Sequence, residues 1–364
     1  INQQNVFKKP AIEWAEKSKT VPLKGDITHA MTLRYWSARW KIYPDARAPT
    51  VKNTDEKSVE EGIQDWLELC RTYPTHFYAL MAGQHLHELA PKRLKNLQPP
   101  KWLSQEKTDW VVKPKFAQRT DLARARQFSK LGLVDLALAE IPSFTKKDPT
   151  SLALYTALEE KIDKVTAHDR LHKSLNKYIP GAYERNHINI LKQGYPDRYL
   201  GTIKKVSSDY SFPPRLFHAL IREESSFNKD IVSWAGAQGL SQLMPGTAKR
   251  VAKWLNISVN RKTVFRPEKN LAIGSRYLEY LHSYFNGNSF MAIGAYNAGE
   301  GNMGKWNKKF SPTPTDHLVE QVPFRETRGY IKRVIGTYQL YSTLESRSVS
   351  FPDWSEYNHN AQPK

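Results

Sequence analysis

From residue 11 to about residue 195 the apolar residues recur at three- and four-residue spacing, and the strict alternation of a half-buried strand is scarce. That periodicity puts an apolar stripe on each of a series of helices and leaves little room for a sheet, so the predicted fold class is mainly α. A helix is expected after Pro74 with Phe77, Leu80, Met81 and Gln84 on one face, and an antiparallel helix pair over 122–131 and 134–141 around Gly132. Helix pairs in series suggest a solenoid-like, superhelical stack. No fixed repeat period is visible, and an irregular bundle satisfies the same pattern. Residues 97–115, LQPPKWLSQEKTDWVVKPK, read as a long connection between helical parts. Trp36 and Trp40, on the helix that follows Asp26-Ile27-Thr28, are assigned to core rather than to a sugar platform. Cys70, in phase with Ile63, Trp66 and Leu67, is assigned to core as well.

With 364 residues the chain has room for about two domains with adequate cores. Its 55 Lys plus Arg against 36 Asp plus Glu give a net charge of +19, which draws it toward polyanions; nucleic acid, anionic lipid and cell wall all qualify. The basic residues are spread along the chain with no finger, basic-zipper or RNP-like signature, so a nucleic-acid partner is not expected. No apolar run approaches the roughly 18–20 residues of a spanning helix. The first residue is Ile1 rather than Met, which fits equally a signal peptide already removed and a chain otherwise trimmed at its start. Nothing in the pattern sets an oligomeric state, and a monomer suffices.

Composition shifts near Gly194-Tyr195-Pro196. Beyond it Gly and Pro cluster in WAGAQGL, MPGTA, FNGNS, YNAGEGN and SPTPT, the short turns of a chain that folds around a cleft. Within PPRLFHALIREESSF, Pro213 and Pro214 suit a helix start, and Leu216, Phe217, Leu220 and Phe227 form a core stripe. At roughly 100° per residue Glu224 lies about 40° from the centre of that stripe and Glu223 about 60° on the other side. A carboxyl in apolar surroundings stays protonated above its solution pKa, which is what a general acid needs near neutral pH. Pairing of either glutamate with Arg222 or a lysine fits the same helix, so periodicity alone does not choose between them.

Residues 221–248, IREESSFNKDIVSWAGAQGLSQLMPGTA, closely resemble the signature of the soluble lytic murein transglycosylase family. Three further blocks follow in the family's order: RPEKNLAIGSRYLEYL at 266–281, AYNAGEG at 295–301 and VEQVPFRETRGYIKRVI at 319–335. The resemblance implies a lysozyme-like, goose-type helical catalytic domain over 195–345, a helical superhelix or bundle domain over 1–194 and a polar C-terminal tail over 346–364. Residue by residue it implies Glu224 as the catalytic acid and base, with Glu223 outside the catalytic position. Ser233, Gln242 and Met244 match the cleft wall, Tyr296 and Asn297 the Tyr-Asn pair that faces the catalytic carboxyl, and Glu320 a second glutamate that contacts substrate. Structural readings stand beside these: Tyr296 as core, Met244 as packing, Glu320 as an ion-pair partner of Arg325 or Arg328. Two positions depart from the pattern. Ser241 replaces a usual Met, which would open or polarise a sugar subsite, and Trp234 replaces a frequent Pro, which would add a stacking face.

The implied reaction is non-hydrolytic cleavage of the MurNAc-β-1,4-GlcNAc bond in peptidoglycan glycan strands, closing a 1,6-anhydro ring on the MurNAc end. One carboxyl serves twice, and no metal or cofactor is expected. His76, His85 and His87 have no carboxylate in helical phase and offer no metal-binding spacing. The substrate implies the periplasm or cell envelope. Two other readings fit: a lysozyme-like muramidase in which the same acid activates water, and a non-catalytic wall-binding module.

Overall fold

The computed structural model describes residues 27–45, 51–98, 120–140, 188–260, 262–310, 313–346, 348–349 and 351. Among these the chain is mainly α, as the periodicity requires; β pairing is confined to isolated antiparallel bridges of Val232 with Gln238 and Gln238 with Leu243. The helices are α1 (Ile27–Ile42), α2 (Glu56–Thr72), α3 (Phe77–Leu89), α4 (Pro91–Lys95), α5 (Thr120–Lys130), α6 (Val134–Ala139), α7 (Ile188–Gly194), α8 (Leu200–Val206), α9 (Pro214–Ser225), α10 (Pro245–Trp254), α11 (Pro267–Tyr284), α12 (Ser289–Ala298), α13 (Glu300–Phe310), α14 (Thr315–Gln321) and α15 (Arg325–Ser346). Their ends follow local chemistry. The Asp55 side chain accepts from the Lys57 amide to start α2, Asn288 accepts from Met291 to start α12, and Gly299, at φ 83, ends α12 in a conformation that a residue with a side chain rarely adopts. Asp26, the connection beyond Gln98 and Ile141 lie outside the described residues.

Compactness groups the chain into two units, each discontinuous in sequence. The first comprises Ile1–Pro100, Ile203–Glu223 and Ala272–Lys364. In it α3 packs against α1, α2 and α15, and Phe77 through Gly83 are all buried. The single apolar face expected for this helix is therefore an apolar girdle, because three helices cover it from different sides. Gly83 is a contact point: a Cβ there would stand 2.7 Å from the Phe351 ring. Phe351 is itself buried, with its carbonyl 2.7 Å from His87 Nε2, so the segment expected as polar tail contributes a core residue. Helix α1 meets the core through Met31, Tyr35, Ala38 and Ile42. Trp36 and Trp40 fall beside that stripe and are half-buried, the Trp36 ring 5.3 Å from Tyr35 and 4.8 Å from His317, so they stand at the edge of the core. Cys70 is buried as expected, its Sγ 3.2 Å from the Ala79 carbonyl.

A buried ionic cluster ties α1 to α14. Arg39 Nε donates to Asp316 Oδ2, Tyr35 Oη donates to the same oxygen at 2.6 Å, and His85 Nε2 lies 3.3 Å from it. The His85 ring stacks on Trp66 at 4.8 Å between centroids. Burial alone would raise the Asp316 carboxyl; the Arg39 charge and the His85 hydrogen bond outweigh it and hold the group well below the usual carboxylate range.

The second unit comprises Lys101–Thr202 and Glu224–Leu271. Gly132, at φ 75, turns the chain between α5 and α6, where the sequence placed it. Within the 224–271 segment Phe227, Leu240, Leu243, Val251, Val264 and Leu271 are buried.

Candidate active site

Helix α9 starts at the Pro213-Pro214 pair and is buried nearly all round: Leu216 through Ile221 are fully covered and Arg222 almost so. The two glutamates at its end differ in what they touch. Glu223 has a side chain only 6% exposed; Thr337 Oγ1 donates to its Oε1 at 2.7 Å and Arg333 Nε lies 3.4 Å from its Oε2. Those partners, both on α15, make Glu223 a structural acceptor. Glu224, the next residue, opens the 224–271 segment and is half-buried. Immediately beyond, Ser226 and Phe227 both have positive φ, at 48° and 64°. Two consecutive left-handed residues without glycine cost of order 1–3 kcal/mol each, and such strain persists only where the surroundings over-determine it. Here the buried Phe227 ring, 6.4 Å from Tyr199, supplies that anchor.

The chain then forms a loop pinned on a single buried side chain, Asn270 of α11. Its Nδ2 donates to the Val264 carbonyl at 2.8 Å and the Gln238 carbonyl at 3.2 Å, and its Oδ1 accepts from the Ser241 amide at 2.7 Å. Ser241 is fully buried with its hydroxyl directed to the Asn270 carbonyl, 3.3 Å away. The expectation that Ser241 polarises a sugar subsite is thus corrected: the hydroxyl is consumed inside the loop. Gln242, at φ 44, turns its Nε2 back on the Gly239 carbonyl at 2.9 Å and the Ile231 carbonyl at 3.3 Å. Ser233 Oγ accepts from the Ala237 amide at 3.0 Å, closing a tight turn. Trp234, at the tip of that turn, is completely exposed, and Met244, which precedes α10, is also exposed. Nothing in the spacing marked Asn270; the available signal is a lone amide at the point where the RPEKNLAIG block turns from charged to apolar.

Gly239 joins this clamp at φ 71, and a Cβ there would stand 2.4 Å from Asn270 Nδ2. Gly236 has φ 87 but open space around it. Gly236→Ala is therefore expected to cost about 1 kcal/mol of left-handed strain alone. Gly239→Ala should cost about 2–4 kcal/mol, because it also displaces the Asn270 hydrogen bonds, each worth about 1 kcal/mol. Thermal unfolding of the two variants side by side checks the difference; equal losses would dismiss the clamp.

The remaining expected residues lie in the first unit. Tyr296, at the end of α12, is half-buried with its ring 5.2 Å from that of Tyr277, whose hydroxyl donates to Glu300 Oε2 at 3.2 Å. Asn297 is exposed and oriented by α15: its Oδ1 accepts from Thr327 Oγ1 at 2.6 Å, and its Nδ2 donates to Glu326 at 3.5 Å. Glu320, on α14, pairs with Lys332 at 2.6 Å and accepts from the Tyr78 hydroxyl at 2.6 Å. Neither Arg325 nor Arg328, the partners suggested by spacing, is the one used; Arg328 donates to the Val322 carbonyl instead. His76 caps α3, His85 belongs to the Asp316 cluster and His87 faces the Phe351 carbonyl. No group of three or more His, Cys, Asp or Glu suited to a metal ion occurs among the described residues.

Residues 201–319 match the family model of the Transglycosylase SLT domain, an interval that holds Glu224, Ser233, Gln242, Met244, Tyr296 and Asn297 and stops one residue short of Glu320. The chain is 30% identical over 291 residues to the soluble lytic murein transglycosylase of Salmonella typhimurium, covering 77% of this chain and 41% of that protein. To the Escherichia coli K12 protein of the same name it is 28% identical over 272 residues, 73% of this chain and 38% of the relative. Among solved structures, lytic transglycosylase Slt from Pseudomonas aeruginosa superposes with a TM-score of 0.65 at 24% identity, over 95% of this chain and 51% of that one. The 70 kDa soluble lytic transglycosylase of Escherichia coli gives 0.61 at 24% identity, over 96% and 51%. These solved neighbours share the all-α fold, and the chain spans about half their length and less than half that of the two curated relatives.

Proposed function

We propose that this chain, which carries a transglycosylase SLT domain at residues 201–319, is a peptidoglycan lytic transglycosylase with Glu224 as its proton carrier. The observation that carries the reading is the match of that domain across the segment containing Glu224. In this scheme Glu224 protonates the bridging oxygen of the MurNAc-β-1,4-GlcNAc link as it breaks, and the N-acetyl carbonyl of MurNAc stabilises the electron-poor C1. The carboxylate then accepts the proton of the C6 hydroxyl, which closes the 1,6-anhydro ring. Ser233, Gln242, Met244, Tyr296, Asn297 and Glu320 are assigned as substrate-binding residues of the reaction, in a catalytic part over 195–345 preceded by a helical part over 1–194. The substrate places the enzyme in the periplasm or cell envelope. No described helix is long and apolar enough to cross a membrane. A net charge of +19 favours adhesion to an anionic wall.

Digestion of purified sacculi followed by mass spectrometry tests the reaction. Anhydro-ended muropeptides are expected; reducing-end products, one water heavier, would reassign the chain to hydrolysis. Trp234 gives a second handle. A fully exposed indole beside Ser233 offers a flat apolar face to a pyranose ring. Trp234→Ala is expected to raise KM for soluble glycan strands by about three- to tenfold with kcat nearly unchanged, the signature of lost uniform binding. An unaltered KM would remove the indole from the binding surface.

A further inference from the structure

Helix α14 carries two acidic residues one turn apart, Asp316 and Glu320, and both are gripped by side chains far away in sequence. Asp316 is fixed by Arg39, Tyr35 and His85. At Glu320 the hydrogen bonds are asymmetric. Oε1 accepts from both Tyr78 Oη and Lys332 Nζ, each at 2.6 Å, while Oε2 accepts none among the described residues. The Glu320 side chain is 27% exposed, enough to reach an incoming group. Tyr78 and Lys332 also hold each other: Nζ donates to the phenol oxygen at 2.8 Å and sits 4.9 Å from the ring centroid, with Phe77 beneath at 5.6 Å. Burial raises the Tyr78 hydroxyl, reinforced by the Glu320 charge, so it remains a neutral donor throughout the physiological range.

We propose that Tyr78 and Lys332 are positioning residues that lock one oxygen of Glu320 and present the other, Oε2, as an acceptor for an O–H or N–H donor of the glycan. The inference rests on the transglycosylase reading above and extends it to α3, which lies well outside the SLT interval. A carboxylate with one lone-pair set already satisfied and its torsions fixed loses little entropy on accepting a further hydrogen bond. The segment of residues 77–89 is then part of the catalytic machinery rather than a separate support.

The test is a double-mutant cycle on the full chain with soluble glycan strands as substrate. Tyr78→Phe keeps the ring on Lys332 and removes only the hydroxyl; kcat/KM is expected to fall about tenfold in the parent and less than about twofold when Glu320→Gln is already present. Lys332→Met, which keeps the stem against Phe77, is expected to show the same background dependence. Equal losses in both backgrounds, or no loss in either, overturn the proposal, since a merely structural role is indifferent to the state of Glu320. Failure of the underlying reading is seen separately, as a parent protein that releases no anhydro-ended product, and this removes the proposal with it.

Discussion

Glu224→Gln is expected to lower the release of anhydro-ended muropeptides by a factor of about 10³, within the 10²–10⁴ range of a positioned acid-base group, while the variant melts close to the parent. The amide is isosteric, but it can neither give a proton to the leaving oxygen nor take one from the C6 hydroxyl, so both halves of the reaction are lost together. The informative control is its neighbour. Glu223 is held by Thr337 and Arg333, so Glu223→Gln should retain most of the cleavage and instead lose stability, by about 1–3 kcal/mol for a disturbed buried charge-assisted hydrogen bond. Quantifying anhydro ends by mass spectrometry on both variants, alongside thermal melts, separates the roles. The reverse pattern, with activity lost at 223 and kept at 224, would transfer the proton carrier to the other glutamate.

Helical class and the chemistry-bearing segment were legible from the chain because both are written in local spacing. The three- and four-residue apolar rhythm needs no partner to be recognised, and Glu224 sits inside a contiguous block. What spacing does not encode is who meets whom across the chain. Glu223 and Glu224 both lie near the buried stripe on a helical wheel; that Thr337 and Arg333, more than 100 positions later, hold Glu223 is visible only in the fold. Ser241 looked like a subsite residue until Asn270, 29 positions on, was seen to hold its amide and to receive its hydroxyl. Glu320 had nearby arginines as natural partners, yet Lys332 on the next helix and Tyr78, 242 positions away, are the ones that reach it. Trp36 and Trp40 take a place that spacing alone does not fix. The core stripe of α1 is already filled by Met31, Tyr35, Ala38 and Ile42, which leaves the indoles at its edge.

The largest expected stability effect is at Asp316. Arg39 and Asp316 are 1% and 3% exposed, so each charge depends on the other for compensation. Asp316→Asn leaves the Arg39 guanidinium buried opposite a neutral amide, and the loss is expected at about 3–5 kcal/mol, the usual cost of removing one member of a buried pair. The pH dependence follows from the direction of the shift. Asp316 titrates well below its ordinary value of 3.8 in the folded chain, so its contribution is complete above the unfolded value and is lost as pH falls through the folded one. The gap between parent and variant should therefore stay constant from neutral pH down to about 4 and narrow only below that. Chemical denaturation of both proteins at a series of pH values measures the gap directly. A gap that already changes between neutral pH and about 5 would instead trace part of it to His317, whose imidazole burial pushes below its ordinary 6.5. A constant gap places the energy in the Arg39–Asp316 pair, the same contact that fixes the start of the helix carrying Glu320.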